Sequence, residues 1–152
     1  MKFTRILFYI ISSTLLLTST YVAAQCKIKP IVKSCMSFLP PYQYDSYAMK
    51  EITYTAKRKT EVVEFSVYSD EEYKLVFGKT ELPQELNITI YEKQPGKKEK
   101  KIVFFDESGK KDNIVCNFKP TKTGTYYIEY DIPPATAPNQ SGCMVVLIGI
   151  KD

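Results

Sequence analysis

The 152-residue chain carries 21 Lys and Arg against 17 Asp and Glu, four Cys, and neither His nor Trp, and its length fits one domain at most. Without histidine the chain cannot build Ser-His-Asp or Cys-His catalytic sets or a His-containing zinc site. Apolar residues make up 44% and charged residues 25%, which is the composition of an ordinary globular domain, so we expect a packed core.

The N-terminal residues 1–24 have the pattern of a secretory signal peptide. Lys2 and Arg5 precede apolar runs at 6–11 and 15–17, and the segment ends in two alanines before Gln25. We therefore predict cleavage before Gln25. Removing this segment takes away two cations and no acid, so the net charge falls from +4 to +2. The small net charge of the mature chain does not predict binding to nucleic acid.

Two alternatives to a cleaved signal stay open. The apolar part of this segment could remain as an uncleaved membrane anchor, although Ser and Thr residues at 12–14 and 18 interrupt it. Cys26 could instead carry a lipid, as cysteines just after a signal region do in bacterial lipoproteins. Gln25 argues against this second alternative, because that position normally holds a small residue.

The four cysteines, Cys26, Cys35, Cys116 and Cys143, all lie in the mature part. An even number in an exported chain predicts two disulfides, with three possible pairings. Their spacing lacks the C-x-x-C of a zinc or redox centre. We favour a crosslink from the N-terminal segment to a distal cysteine, worth about 4 kcal/mol in the chain-entropy model. A short Cys26 to Cys35 pairing remains open.

Residues 25–49 are expected to form an irregular segment that packs over the domain and is held by its cysteines. The segment is rich in proline and tyrosine and follows neither a helical nor an alternating pattern. One interpretation makes it an edge cover of the domain, with tyrosine rings capping the core. The other makes 40–47 an aromatic binding loop, in which Tyr42, Tyr44 and Tyr47 offer contact area to a glycan or protein.

Residues 50–152 are expected to form an all-β domain, an antiparallel two-sheet sandwich of about eight strands. Apolar and polar residues alternate in short runs separated by turn residues, and no window of a dozen residues keeps a helical apolar stripe. Each half-buried strand needs a second layer, which two packed sheets provide. The run 143–150 is almost wholly apolar and should be a central strand. The predicted strands cover 52–57, 63–68, 73–77, 86–91, 102–105, 114–118, 124–130 and 143–150.

Other candidate sites have ordinary structural explanations. The acidic groups at 70–72 and at 106–112 lack the D-x-D-x-D-G pattern of a calcium loop, so we expect solvated turns and no metal or cofactor. Four lysines at 97–101 are expected to form an exposed hairpin tip, because Glu99 interrupts them. The glycosylation pattern at 87–89 falls inside a predicted strand.

The stretch 118–130, with Thr123-Gly124-Thr125-Tyr126-Tyr127 at its centre, resembles the late strand of the bacterial pre-peptidase C-terminal domain. The order of the runs 63–67, 73–77 and 86–91 is similar to that family as well, so the resemblance covers about residues 50–150. It implies a jelly-roll-like β-sandwich, found in exported bacterial proteins as a noncatalytic accessory module beside enzymes or adhesins. It carries over no catalytic or ligand residues, because the matching positions are structural.

Three functions follow as hypotheses. The first is an exported, noncatalytic binding protein of the bacterial cell envelope, in the periplasm or at the cell surface, that contacts a protein or glycan through 40–47 or the loop 133–142. The second is a structural subunit of a surface or secretion assembly, for which an unpaired edge strand would be the sign. The third, a carboxylate-based hydrolase, needs two facing carboxylates in a deep cleft.

Overall fold

A computed structural model of the chain describes residues 26–79, 82–93, 101–104 and 113–151, with only the backbone described at 101–104 and 113–114. The predicted signal segment 1–24 lies outside these residues. The described residues form one helix and eight strands: α1 (Ile28–Met36), β1 (Gln43–Thr53), β2 (Lys59–Val67), β3 (Glu72–Gly78), β4 (Asn87–Tyr91), β5 (Lys101–Phe104), β6 (Asn113–Phe118), β7 (Gly124–Ile132) and β8 (Ser141–Lys151). No helix in these ranges is long and apolar enough to cross a membrane.

The strands form two four-stranded sheets with antiparallel neighbours. Sheet A has the order β1-β8-β3-β6, and sheet B has the order β2-β7-β4-β5. Consecutive strands alternate between the sheets along much of the chain, which is the double Greek-key path of a jelly roll. The predicted fold class, an antiparallel jelly-roll-like sandwich, is confirmed.

The main core lies between the two sheets and follows the period-two pattern of the strands. Phe118 of β6 packs its ring against Tyr126 of β7 at 5.2 Å and against Phe65 of β2 at 6.0 Å between centroids. These ring contacts join sheet A to sheet B. Other fully buried members are Ile52, Leu75, Phe77, Ile88, Ile90, Ile128, Ile132 and Met144.

A second apolar cluster lies on the outer face of sheet A, beneath α1. The helix contacts β1, β3 and β8. Its inward residues recur at 28, 31, 32 and 35, which is the spacing of one helical face, and they meet Val76, Val145 and Leu147 of the sheet. Strand β8 is therefore covered on both faces, and the prediction that 143–150 is a central strand is confirmed.

The segment 25–49 is more regular than predicted, because it contains α1 and the first seven residues of β1. Pro30 stands in the first turn of α1, where its missing N–H costs no helical hydrogen bond, and the helix has only nine residues. The first strand runs over 43–53 and not over 52–57. Its alternation is weak, because it is an edge strand whose inward positions include Ser46 and Lys50.

Candidate functional site

Two of the predicted tyrosines, Tyr44 and Tyr47, lie side by side on the outer face of β1. Tyr44 pairs with Gly149 and Tyr47 with Leu147, and the register shifts between positions 44 and 46. Asp45 is thus the extra residue of a β-bulge, which lets two tyrosines three positions apart point to the same face. They are 46% and 47% exposed. They belong to an edge strand and not to a loop.

Met49 extends this exposed strip by one step along β1. It pairs with Val145, whose side chain belongs to the outer cluster, so it lies on the same face as Tyr47. Its side chain is 41% exposed. Since β1 pairs only with β8 among the described strands, its other edge offers backbone groups next to this apolar strip. We name Tyr44, Tyr47 and Met49 the β1 strip.

The third predicted tyrosine, Tyr42, has a different environment. The buried Lys74 of β3 places its Nζ 4.6 Å from the centroid of the Tyr42 ring and donates a hydrogen bond of 3.0 Å to the Pro40 carbonyl. A cation over the ring face is attracted by the ring quadrupole. Lys74 therefore fixes the turn that leads from α1 into β1.

Close approach of this turn explains a glycine in β8. A Cβ atom at Gly149 would lie 2.8 Å from Leu39 Cδ2 and 3.1 Å from Tyr42 Cβ. Only a residue without a side chain lets the 39–42 turn pack this closely onto the sheet. The absence of a side chain at Gly149 lets the turn lie against β8, and Lys74 stabilises the turn through its contacts with Tyr42 and Pro40.

A shallow cleft of about 270 Å³ lies beside Tyr42. Glu72 and Lys119 form an ion pair across it with a separation of 3.7 Å. The lining combines an aromatic ring with an acid, a base and an amide, a set that can hydrogen-bond the hydroxyls of a sugar or the polar groups of a peptide. The lining residues are Tyr42, Glu72, Asn117, Phe118 and Lys119.

One disulfide joins the start of the described chain to the centre of sheet A. Cys26 is bonded to Cys143 of β8, with 5.7 Å between their Cα atoms and a sequence separation of 117. The predicted long-range crosslink from the N-terminal segment is confirmed, and the short Cys26 to Cys35 pairing is wrong. A sulfur in a disulfide cannot also carry a thioether-linked lipid, so the lipidated and the crosslinked states of Cys26 exclude each other.

The prediction of a second disulfide is wrong, because Cys35 and Cys116 are buried thiols in different layers. Cys35 lies beneath α1 on the outer face of sheet A, whereas Cys116 lies between the sheets. Burial raises the pKa of Cys35, and it raises the pKa of Cys116 to about 12. A thiol with a raised pKa is a poor nucleophile at neutral pH.

Of the described acidic residues at 70–72, Glu71 stabilises the turn between β2 and β3, whereas Glu72 begins β3 and lines the Tyr42 cleft. Glu71 accepts a hydrogen bond of 2.5 Å from the Tyr73 hydroxyl, which in turn accepts one from the Tyr68 N–H. Burial and this bond to Glu71 raise the pKa of Tyr73 to about 12. Within the described ranges, no three His, Cys, Asp or Glu residues are placed to hold a metal ion.

Several predicted sites lie partly or wholly outside the described residues. The acidic group 106–112 and the lysines at 97–100 belong to this category, whereas Lys101 begins β5. The glycosylation pattern lies in β4, where Asn87 is exposed and Thr89 is buried.

The loop 133–142, a predicted binding loop, is cross-braced by Gln140. The Gln140 Oε1 atom accepts hydrogen bonds from the N–H groups of Thr136 and Ala137 at 2.9 and 3.2 Å, and from Gln84 Nε2 at 2.9 Å. The side chain of Gln84 also donates to the Pro134 carbonyl. These bonds tie the loop to the chain between β3 and β4. The polar groups that make them therefore stabilise this end of the sandwich.

Three residues of the site were not predicted from the sequence: Lys74, Met49 and Asn117. Lys74 and Asn117 occupy outer positions of β3 and β6 and pair with each other, so strand alternation could have placed them on one face. Their proximity to Tyr42 depends on the turn at 39–42, which has no sequence signal of comparable strength.

The fold and this face together define a class: a disulfide-stabilised jelly-roll sandwich whose sheet A is covered on its outer side by a short helix. Comparison with known families finds no matching family model, and comparison with curated proteins finds no sequence match. The resemblance to the pre-peptidase C-terminal domain stays a prediction.

Proposed function

We propose that this chain is an exported, noncatalytic β-sandwich protein of the bacterial cell envelope that binds a protein or glycan through the β1 strip and the Tyr42 cleft. The observation that carries the proposal is the exposure of three large side chains in a row on an edge strand. Exposed tyrosines give large, rigid contact area at low entropic cost, and they are enriched at binding surfaces.

Export is supported by two observations. The Cys26–Cys143 disulfide is the kind of crosslink that persists in a non-reducing compartment. The segment that precedes Cys26 has the charge and hydropathy pattern of a signal peptide. The periplasm and the cell surface both meet these requirements.

A noncatalytic role is supported by the chemistry of the groups that the structure describes. Burial raises the pKa of both described thiols, which makes them poor nucleophiles. The Tyr42 cleft contains one carboxylate, Glu72, and it faces a lysine and not a second carboxylate. A glycoside hydrolase of the usual kind needs two carboxylates across its cleft.

A second candidate function, a structural subunit of a surface or secretion assembly, is favoured by β1 itself. This edge strand has eleven residues, with Tyr44, Tyr47 and Met49 exposed on its outer face, and such edges can pair with a strand of another molecule. Size-exclusion chromatography and cross-linking decide between the two candidates: ordered oligomers that disappear in Tyr47→Lys support assembly, and a monomer at all concentrations supports the binding protein.

The binding proposal is tested with glycan arrays and pull-downs from envelope extracts. We compare the exported protein with Y44S/Y47S and with the control Tyr68→Ser, whose tyrosine is 59% exposed outside the β1 strip. Loss of two contact tyrosines should weaken binding at least tenfold, whereas the control should bind like the wild type. Equal binding by all three proteins, or no partner above background, would overturn the proposal.

A further inference from the structure

The outer side of sheet A also carries a group of cations beside exposed apolar side chains, separate from the β1 strip. Lys27, Lys29 and Lys33 lie on or next to α1 and are exposed. Met36 and Phe38, at the end of the helix and just after it, are 37% and 44% exposed. We name these five residues the helix patch.

The helix patch is a local concentration of positive charge. Between residues 26 and 44 the chain has three lysines and no Asp or Glu. The described outer positions of sheet B carry Glu64 on β2 and Glu129 and Asp131 on β7, and Arg58 pairs with Asp131 at 3.4 Å. A negatively charged surface attracts such a basic segment and orients the molecule with the helix patch toward it.

We propose that the helix patch docks the exported protein on an anionic lipid bilayer, with Met36 and Phe38 at the level of the headgroups. Lysines near an anionic leaflet add about fivefold each to binding, since each is worth about 1 kcal/mol there. Aromatic and apolar side chains next to such cations add buried area at the interface. The proposal concerns how the protein is held at the envelope, so it goes beyond the binding of a protein or glycan by the β1 strip.

The shape and connectivity of the patch favour a lipid surface over an acidic protein. The apolar face of α1 already packs on sheet A, so the helix presents its convex polar side and no groove that would seat a peptide. A bilayer needs no groove. The disulfide also holds Cys26, and with it the neighbouring Lys27, on this side of sheet A.

The test measures co-sedimentation with phosphatidylcholine vesicles that contain or lack phosphatidylglycerol. Mass spectrometry first establishes that 1–24 is absent, because this apolar segment would bind vesicles by itself. The triple variant K27Q/K29Q/K33Q is compared with K57Q/K93Q/K122Q, which removes three exposed lysines elsewhere. We expect the first triple variant to lose about a hundredfold in binding to anionic vesicles, as three factors of about five imply, and the second to bind nearly like the wild type.

Because the chain has no tryptophan, a single Trp reports where the protein meets the lipid. Phe38→Trp should show a blue-shifted emission with anionic vesicles, and Tyr68→Trp, outside the helix patch, should not. High salt should release the protein, because surface charges are screened within about 3 Å at 1 M.

Three outcomes would overturn the lipid proposal: equal binding to both vesicle types, equal loss in both triple variants, or lysine-dependent capture of a soluble polyanion such as polyglutamate without vesicle binding. The last outcome would identify the patch as a site for an acidic polymer. None of these results depends on Tyr44 or Tyr47, so failure here is distinguishable from failure of the β1 strip.

Discussion

The two central strands of the sandwich, β8 and β7, differ in which of their side chains are buried. Each pairs with a neighbour on both sides. Strand β7 alternates, with buried residues at 126, 128, 130 and 132 and partly exposed ones between them, whereas eight consecutive residues of β8, from Gly142 to Gly149, are buried. The difference arises from α1, which covers sheet A and has no described counterpart on sheet B.

A continuous apolar strand in an antiparallel sandwich indicates that another segment of the chain covers its outer face. An antiparallel sheet normally leaves one face to solvent and alternates accordingly. When it does not, some other segment must bury the second face. Here that segment is α1, and the Cys26–Cys143 bond attaches it to the strand that needs it.

Breaking the attachment should have the largest effect. The Cys26–Cys143 crosslink spans 117 residues, so the chain-entropy model gives it about 5 kcal/mol. We expect C26S/C143S to lose most of this free energy of unfolding in urea titrations. Hydrogen exchange should show the loss of protection concentrated in α1. Uniform loss across β7 as well would show that the helix cover and sheet B unfold together.

Matched truncations on the two outer faces test the asymmetry directly. Leu147 of β8 is fully buried beneath the cover, whereas Val62 on the outer side of β2 is 37% exposed. Leu147→Ala should cost about 2–5 kcal/mol, the range for buried leucines, and Val62→Ala should cost well under 1 kcal/mol. Urea midpoints at constant slope measure both, and similar costs would mean that the outer side of sheet B is covered too.

Most of the sandwich was predictable because its strands obey simple alternation. Seven of the eight predicted runs overlap a strand of the structure closely, for example 73–77 with β3 (Glu72–Gly78). The exception is β1, where a bulge at Asp45 interrupts the period and Lys50 takes an inward position. Alternation fails as a signal where a strand is at the edge and its core face is partly polar.

The cover and the site were harder to predict, for different reasons. The apolar spacing 28, 31, 32 and 35 is present in the sequence, but Pro30 and the short length weaken the signal for a helix. A helix this short depends on packing for its stability. The exposure of Tyr44 and Tyr47 follows from the bulge, and the Tyr42 cleft follows from a turn. Neither leaves a periodic trace in the sequence.

The two thiols should report whether the cover opens independently of the sandwich. In C26S/C143S the remaining cysteines are Cys35 beneath α1 and Cys116 between the sheets. Local lifting of α1 would expose Cys35 alone, so we expect it to react with iodoacetamide about tenfold faster or more. Mass spectrometry of the peptides follows both rates. Equal rates would mean that exposure of either thiol requires global unfolding.

The smallest expected effect on stability concerns the seam between β1 of sheet A and β2 of sheet B, which is formed by Glu61, Lys50 and Lys59. Glu61 on the inner side of β2 accepts hydrogen bonds from Lys59 and from Lys50 of β1, both at 3.0 Å, and these bonds lower its pKa below the ordinary 4.5. The folded state therefore prefers the carboxylate, which stabilises the protein above pH 4.5 and loses this contribution as the pH falls through the lowered value.

Glu61→Gln should consequently cost less than about 1 kcal/mol at pH 7, as partly exposed ion pairs do, and the difference from wild type should shrink toward zero in acid. The matched control is Glu64→Gln, three residues along the same strand on the outer face. Urea unfolding of the three proteins across pH 3–7 measures this. A pH-independent cost at Glu61, or an equal pH-dependent cost at Glu64, would show that the seam pair does not tie sheet A to sheet B.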